Sequence, residues 1–419
     1  MFRYTPRCGR RWPAMSSTWP AVEVGSSARL VRRAVGASEC RGKRYVGLEH
    51  IGEGTLAITS AGDGDLVESA KSEFRAGDIL FGKLRPYFRK VAIAPFDGVC
   101  STDIWVVRPV RGVDPRFLFY RLASTEFVEA ASRGAEGTRM PRAKWGFVSR
   151  LAFPLPPLAI QKRISHILGT LDDKIELSRR MNETLEAMAR AIFKSWFVDF
   201  DPVHAKAAGR DTGLPRRIAG LFPSEFQSSE LGLIPKGWKV VLLGELAELA
   251  YGSALPAEAR RPGTVPVFGS NGQIGWHSDP NAQGPGIIVG RKGNPGVVTW
   301  SYTDFFAIDT AYYVVPRGGL GRSLHFLFHA LREQGLASLG ADSAVPGLNR
   351  NIAYTSKQVL PPHAVRAEFD ESLAPLLSKA EKCRREMMNL ALLRDTLLPK
   401  LLSGELPVPE AETIISEVT

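Results

Sequence analysis

Cysteine is scarce in this 419-residue chain, with four residues at positions 8, 40, 100 and 383. They lie too far apart for a CxxC pair or a zinc knuckle, and they read as unpaired thiols in a reducing compartment. No apolar run approaches the ~18 residues that a membrane helix needs. Nor does any stretch combine a basic start, an apolar middle and a small-residue cleavage site. Neither a membrane span nor a secretory signal is expected, and the cytoplasm is the default location. Catalytic signatures are missing as well: there is no GxxxxGKS/T phosphate loop, no HExxH and no GxSxG elbow. The seven histidines are scattered without metal-ligand spacing. His166 follows Ser165, but adjacent helical residues point in different directions and give no base-to-nucleophile geometry. No catalytic residue, metal or cofactor is expected in this chain.

Positive charge is plentiful. Lys and Arg number 54 against 43 Asp and Glu, a net charge of +11, and the pI is near 9.6. Arginine's rigid fork of donors suits phosphate and guanine edges, although a basic balance also fits a membrane surface or plain solubility. Residues 1–14 hold Arg3, Arg7, Arg10 and Arg11 with no acid, and Met15 precedes a more domain-like start. This segment reads as a disordered arm or a start-site artefact.

The chain repeats itself. A strand-rich stretch runs into Leu155-Pro156-Pro157 and a long polar helix, and about 205 residues later Leu360-Pro361-Pro362 precedes a second one. Ile79-Leu80-Phe81, Val91-Ala92-Ile93-Ala94 and Ile104-Trp105-Val106-Val107 predict strands in the first head, with a helix over Phe117 to Val128. Ile287-Ile288-Val289, Tyr312-Tyr313-Val314-Val315 and a helix from Phe326 to Gln334 match them in the second. Gly82-Lys83 stands opposite Gly290-Arg291, Pro109 opposite Pro316, Phe117-Leu118-Phe119 opposite Phe326-Leu327-Phe328, and Pro141 opposite Pro346.

The helices carry apolar seams at spacings of four and three. In the first, Ile160, Ile164, Ile167 and Leu171 lead through Lys174 and Ser178 to Met181, Leu185, Met188 and Ile192. In the second, Phe369, Leu373, Leu376, Ala380, Cys383, Met387, Leu390 and Leu397 form the seam. Pro375 should kink or break that helix, and Lys400 to Gly404 supplies its stop. Packed antiparallel, the two would hide both seams and hold the heads at opposite ends of a rod about 50 Å long. The Gly-, Pro- and charge-rich segment from Asp199 to Glu230 reads as a linker with limited structure.

Basic residues cluster in turns. Lys83, Arg85, Arg89 and Lys90 surround Pro86-Tyr87-Phe88, and Arg139, Arg142 and Lys144 form a second basic turn. The second head offers Arg260-Arg261, Arg291-Lys292 and Arg350-Asn351, with Asn271, Gln273 and His277 near Trp276 as further candidates. Arginine can pair with guanine O6 and N7, and Asn with adenine N6 and N7. Lysines more often grip phosphate. Each cluster is a DNA contact or an ordinary solvated surface. Gly290, Gly293 and Gly296 lack the strand-glycine-helix context of a nucleotide fingerprint.

Residues 160–168 (Ile-Gln-Lys-Arg-Ile-Ser-His-Ile-Leu), Leu171-Asp172-Asp173-Lys174-Ile175-Glu176, Asn182 and residues 192–200 (Ile-Phe-Lys-Ser-Trp-Phe-Val-Asp-Phe) resemble the central conserved region of type I restriction-modification specificity subunits. Residues 393–404 resemble the distal counterpart. Gly237-Trp238, with Trp19-Pro20 as its first-head equivalent, is also familiar. The likeness covers essentially everything after residue 15.

The resemblance implies an α+β fold: two similar mixed α/β target-recognition domains separated by two long antiparallel helices forming a coiled coil. The domains would be 15–157 and 231–362, the helices 158–198 and 363–404, with a linker at 199–230 and a tail at 405–419. It implies double-stranded DNA as partner, with each domain reading half of an asymmetric bipartite site. It also implies two methyltransferase subunits bringing S-adenosylmethionine and, in complete systems, restriction/translocase subunits using ATP and Mg. The chain lacks the Asn-Pro-Pro-aromatic motif of an adenine methyltransferase. The alternative is a non-enzymatic two-headed coiled-coil scaffold.

Overall fold

The structure, a computed structural model, describes residues 19–137, 139–319, 323–339 and 347–418. The basic arm at 1–14, Cys8 and Pro346 lie outside the described residues. The chain divides into two compact units, Met1–Ser178 with Arg385–Thr419, and Arg179–Arg384.

The first unit is built on a four-stranded antiparallel sheet of β1 (Ala28–Val31), β2 (Ile79–Gly82), β3 (Val91–Ile93) and β4 (Ile104–Pro109), in the order β1-β4-β2-β3. Its inner strands read as continuous apolar runs because both faces are covered. Ile79, Phe81, Trp105 and Val107 enter one core, while Leu80, Ile104 and Val106 point into another, the two-residue period of a strand. Helices α1 (Pro115–Ala123) and α2 (Thr125–Arg133) contribute to the first core. A single helix was expected here. Ser124 instead adopts an extended conformation, and its hydroxyl accepts the Phe127 N–H to cap α2. A second, five-stranded sheet, Ala34–Val35 with Lys71–Phe74, Gly98–Cys100, Arg44–Val46 and Gly62–Asp63, completes the head. Helix α3 (Leu158–Phe197) then begins.

The second unit repeats the scaffold. Strands β5 (Ala247–Tyr251), β6 (Gly286–Gly290), β7 (Val298–Ser301) and β8 (Ala311–Pro316) pair antiparallel in the order β5-β8-β6-β7. Leu80 opposes Val106 as Ile288 opposes Tyr313, so the duplication holds down to register. The second sheet differs, with only Gly272–His277, Val265–Gly269 and Phe306–Ala307. Helix α4 (Leu324–Glu333) is the counterpart of α1.

Helix α5 (His363–Ser403) is continuous through Pro375, contrary to the expected kink or break. Leu373 is buried, and Leu376 and Leu377 pack on the same core, so tertiary contacts hold the turn that lacks one hydrogen bond. Gly404 follows at φ +77°, with the Leu406 N–H on the Lys400 carbonyl. The α5 seam is buried at Phe369, Leu373, Ala380, Cys383, Leu390 and Leu397. In α3 the first half of the seam holds, with Ile164, Ile167 and Leu171 buried. The second half does not: Met181 and Met188 are exposed, and Ala189, Phe193, Trp196 and Phe197 are buried instead. There the helix feeds an aromatic core, which needs a wider stripe than a two-helix seam. The two helices run antiparallel within each unit. Ser178 meets Glu386 and Asp172 meets Arg394 in the first, while Met181 meets Cys383 and Phe193 meets Phe369 in the second.

Residues 199–230 are structured rather than a loose linker. They form helices Asp201–Ala207 and Arg216–Ala219 and the first strand of a hairpin, Phe226–Ser229 with Gly232–Pro235. Val203 and Phe222 are buried in the second core, anchors too few to stand out in a polar stretch. The tail forms helix α6 (Val408–Val418), whose Val408, Ala411 and Ile415 join the first core. Cys40, Cys100 and Cys383 are free and buried. Among the described residues no helix is long and apolar enough to cross a membrane.

The helix that follows each scaffold is capped differently. Asp114 accepts the Phe117 N–H at 3.0 Å and is held by the Ser165 hydroxyl at 2.5 Å. In α4 the cap comes from α5, where Asp370 accepts the His325 and Phe326 N–H groups. Burial pushes Asp370 up to about 6, and pushes His325 and His329 down to about 4 and about 3. The histidines' depressed values mean that the unfolded chain binds their protons first, so stability falls as pH drops below 6.5. Asp370 acts in the opposite sense between its ordinary 3.8 and about 6, and two histidines outweigh one carboxyl. The second unit should therefore weaken between pH 7.5 and 5, and His329→Phe should recover about 1 kcal/mol of that loss at pH 5.5. Denaturant titrations at the two pH values check this; an unchanged pH slope in the variant would refute it.

Candidate nucleic-acid interface

The fold brings both basic turns of the first unit together. After β2, the Lys83 N–H donates to the Asp103 carbonyl, and the Lys83 carbonyl accepts the Ala143 N–H, each at 2.9 Å. The Arg85 N–H likewise reaches the Pro141 carbonyl at 2.8 Å. Arg85 sits at φ +48° and Arg89 at φ +50°, left-handed positions unusual for side chains other than glycine, Asn and Asp. They flank the short turn Pro86–Phe88, whose Tyr87 and Phe88 rings lie 4.8 Å apart.

These cations are not equivalent. Arg142 grips Asp103 with both arms, at 2.8 and 3.0 Å, and the hydrogen bond holds the Asp103 carboxyl below its usual range. Arg89 donates to the Ala123 carbonyl at 2.6 Å and to Asp395 at 3.2 Å. Lys90 donates to the Leu48 carbonyl. Arg89, Arg142 and Lys90 therefore hold the head together. Arg139 and Lys144 are exposed, although Lys144 lies 3.2 Å from Glu136. Arg85 is exposed and touches the Arg139 carbonyl, and Lys83 is half-buried. Lys83, Arg85, Arg139 and Lys144 form a cationic edge.

In the second unit the same backbone bridge recurs. The Arg291 N–H donates to the Thr310 carbonyl at 2.9 Å, and the Arg291 carbonyl accepts the Leu348 N–H at 2.8 Å. Lys83 and Arg291 thus occupy one scaffold position, and Arg350 is brought beside Arg291. Arg291, Lys292, Asn349, Arg350 and Asn351 line a concavity of about 480 Å³ with Tyr251 and Tyr312. Two guanidinium groups lie over the Tyr251 ring, Arg291 at 4.7 Å and Arg350 at 4.6 Å from its centre. Burial and the neighbouring Tyr251 push the Tyr312 hydroxyl up.

Arg260, Arg261, Asn271 and Gln273 lie on and beside the hairpin Val265–His277. Arg260 donates to the Ile274 carbonyl at 2.9 Å, and the Arg261 side chain pairs with Asp279. His277 is buried and accepts the Arg261 N–H, so it orders the hairpin and does not face outward. Asn271, Gln273 and Trp276 are exposed. Tyr251 and Tyr312 were not singled out from the sequence. They lie about 40 and 20 residues from Arg291, and no local pattern marks them. Among the described residues no group of three metal-ligating side chains exists.

Residues 41–187 match the type I restriction modification DNA specificity domain. The chain is 27% identical to the type I restriction enzyme HindI specificity subunit of Haemophilus influenzae over 417 residues, covering 82% of this chain and 89% of that one. It is 25% identical to the MjaIX specificity subunit of Methanocaldococcus jannaschii, with 84% of each covered. Its fold is similar to the type I restriction-modification S subunit from M. genitalium, at a TM-score of 0.50 and 17% identity over 92% of this chain and 96% of that one.

Proposed function

We propose that this chain, similar over most of its length to type I restriction enzyme specificity subunits, is the DNA-reading, non-catalytic member of a modification and restriction assembly. Each head reads one half of an asymmetric bipartite site in double-stranded DNA. Helices α3 and α5 offer docking surfaces to two modification subunits, which bring S-adenosylmethionine and methylate adenine after extruding it from the stack. A restriction subunit, where present, brings ATP, Mg and cleavage. The observation that carries this reading is the repeated four-stranded scaffold, which sets a cationic loop at the same position in each unit but surrounds it with different side chains. Lys83 and Arg291 share that position, while Ala143-Lys144-Trp145 stands where the other head has Leu348-Asn349-Arg350. One scaffold with two chemistries suits two different half-sites.

Deleting the gene and mapping adenine methylation across the genome tests the reading. One bipartite motif should lose its methylation, and an unchanged methylome would overturn the proposal. A mere scaffold would capture partners without altering methylation. Within the first head, Arg139→Ala should weaken every duplex by a similar factor and lower the salt slope by about 0.9, as one lost phosphate contact does. Titrations of the assembled complex at several salt concentrations check this. A change confined to one base pair would move Arg139 from phosphate to base contact.

A further inference from the structure

The Arg350–Tyr251–Arg291 stack is more constrained than phosphate binding requires. Each guanidinium lies over the Tyr251 ring, and each is tied along one edge to a backbone carbonyl. Arg291 Nη1 donates to Asp309 at 3.0 Å, and Arg350 Nη1 points to Leu249 at 3.4 Å. Tyr312 lies under the group, its ring 5.2 Å from that of Tyr251 and its hydroxyl donating to the Leu348 carbonyl. No carboxylate pairs with either arginine among the described residues. Two neighbouring cations without a counter-charge are ready to receive acceptor atoms, and each still has unbonded N–H groups.

A flexible lysine is enough to hold a phosphate. A rigid arginine with its plane and one edge fixed suits two acceptors at set positions, the O6 and N7 of guanine. We propose that Tyr251 is a positioning residue that holds Arg291 and Arg350 as the guanine-reading pair of the second unit. The inference rests on the DNA-reading function and names the base that this head selects.

The first unit supports the assignment by contrast. The strand registers place Trp105 where Tyr312 stands, and Val31, the last paired residue of β1, stands where Ala250 precedes Tyr251. The matching loop bridge places Lys83 for Arg291 and Trp145 for Arg350. Trp105 and Trp145 contact each other edge to face at 5.5 Å. The first head therefore lacks the paired guanidinium groups at this site, and a guanine-reading pair at this position belongs to the second unit alone.

The test uses the assembled specificity and modification complex and duplexes carrying its mapped methylation motif. The second half-site should contain a G·C pair at which wild-type binding drops about 5- to 10-fold when guanine is replaced by 7-deazaguanine, which lacks the N7 acceptor. Arg350→Ala or Arg291→Ala should cut the preference for guanine there by about 10- to 100-fold, and the 7-deaza substitution should then cost nothing further. Tyr251→Ala should lower the same preference about 5-fold without changing preference elsewhere, and Tyr251→Phe should restore it. Unfolding midpoints equal to wild type separate positioning from loss of structure. If the arginine variants weaken all duplexes alike, and methylphosphonate linkages rather than 7-deazaguanine abolish their effect, the pair grips phosphate and the proposal fails while DNA reading stands. If wild-type complex does not distinguish the motif from random duplex, the DNA-reading function itself fails.

Discussion

Phe369→Ala is expected to remove about 3–5 kcal/mol from the stability of the second unit. The ring is fully buried and lies 5.8 Å from Phe193, 5.9 Å from Trp196, 5.0 Å from Phe197 and 6.1 Å from His329. These neighbours are large and interlocked. Phe197 is fixed again by Phe326 and Trp238, and Trp196 by Phe222. The surroundings cannot collapse into the space, so the cavity cost adds to the lost transfer energy. Phe369→Leu keeps most of the volume and should cost less than half as much. Denaturant unfolding followed through the fluorescence of Trp196 and Trp238 measures both. A loss under about 1 kcal/mol for the alanine variant would show that this cluster is not the centre of the core.

The second large effect is electrostatic. In the first unit Arg394 is 2% exposed, and its guanidinium bonds Asp172 at 2.8 Å and Asp395 at 3.2 Å. Asp172 also accepts the Tyr120 hydroxyl at 2.5 Å. Asp172→Ala strands most of a buried cation and should cost about 3 kcal/mol, the lower end for a broken buried pair because Asp395 remains. Arg394→Met keeps the volume and removes the cation, leaving Asp172 a quarter exposed to find water, so it should cost less. Combining Arg394→Met with Asp172→Asn should cost less than the two single changes together, by about 1–2 kcal/mol. The double-mutant cycle decides: strictly additive losses would mean that the pair is not coupled. The site has no counterpart in the second unit, where Leu377 takes the place of Asp172 by the offset of the two Leu-Pro-Pro segments.

Much of the fold was legible because both heads bury strands on two faces. Runs such as Ile79-Leu80-Phe81 and Ile287-Ile288-Val289 therefore stay apolar and stand out. The α5 seam was legible for the same reason, since its heptads are buried from Phe369 to Leu390. The end of α3 was misplaced by one position at Met188 and Ala189, because an aromatic head buries a different stripe from a helix partner. Residues 199–230 were taken for a linker because Phe222 and Val203 are isolated in a polar context. Ser124 split the α1–α2 helix through a cap that composition alone does not distinguish from a helical serine.

The interface was legible as charge, but not as roles. Arg89 and Arg142 sit in basic turns as Arg85 and Arg139 do, yet the first two bond the protein and the latter two face solvent. That division depends on Asp395, Ala123 and Asp103, which lie 34 to 306 residues away in the chain from the arginines they bond.

By itself the sequence determined a duplicated head, two long seamed helices, a basic surface and the family to which these point, because periodicity, repetition and charge are written in neighbouring residues. Only the tertiary structure decided that Arg291 and Arg350 share the Tyr251 ring, that Trp145 replaces Arg350 in the other head, and that Asp370 caps a helix belonging to another segment. Each of those pairings joins residues far apart in the chain, and their energy exists only once the backbone has closed the loop between them.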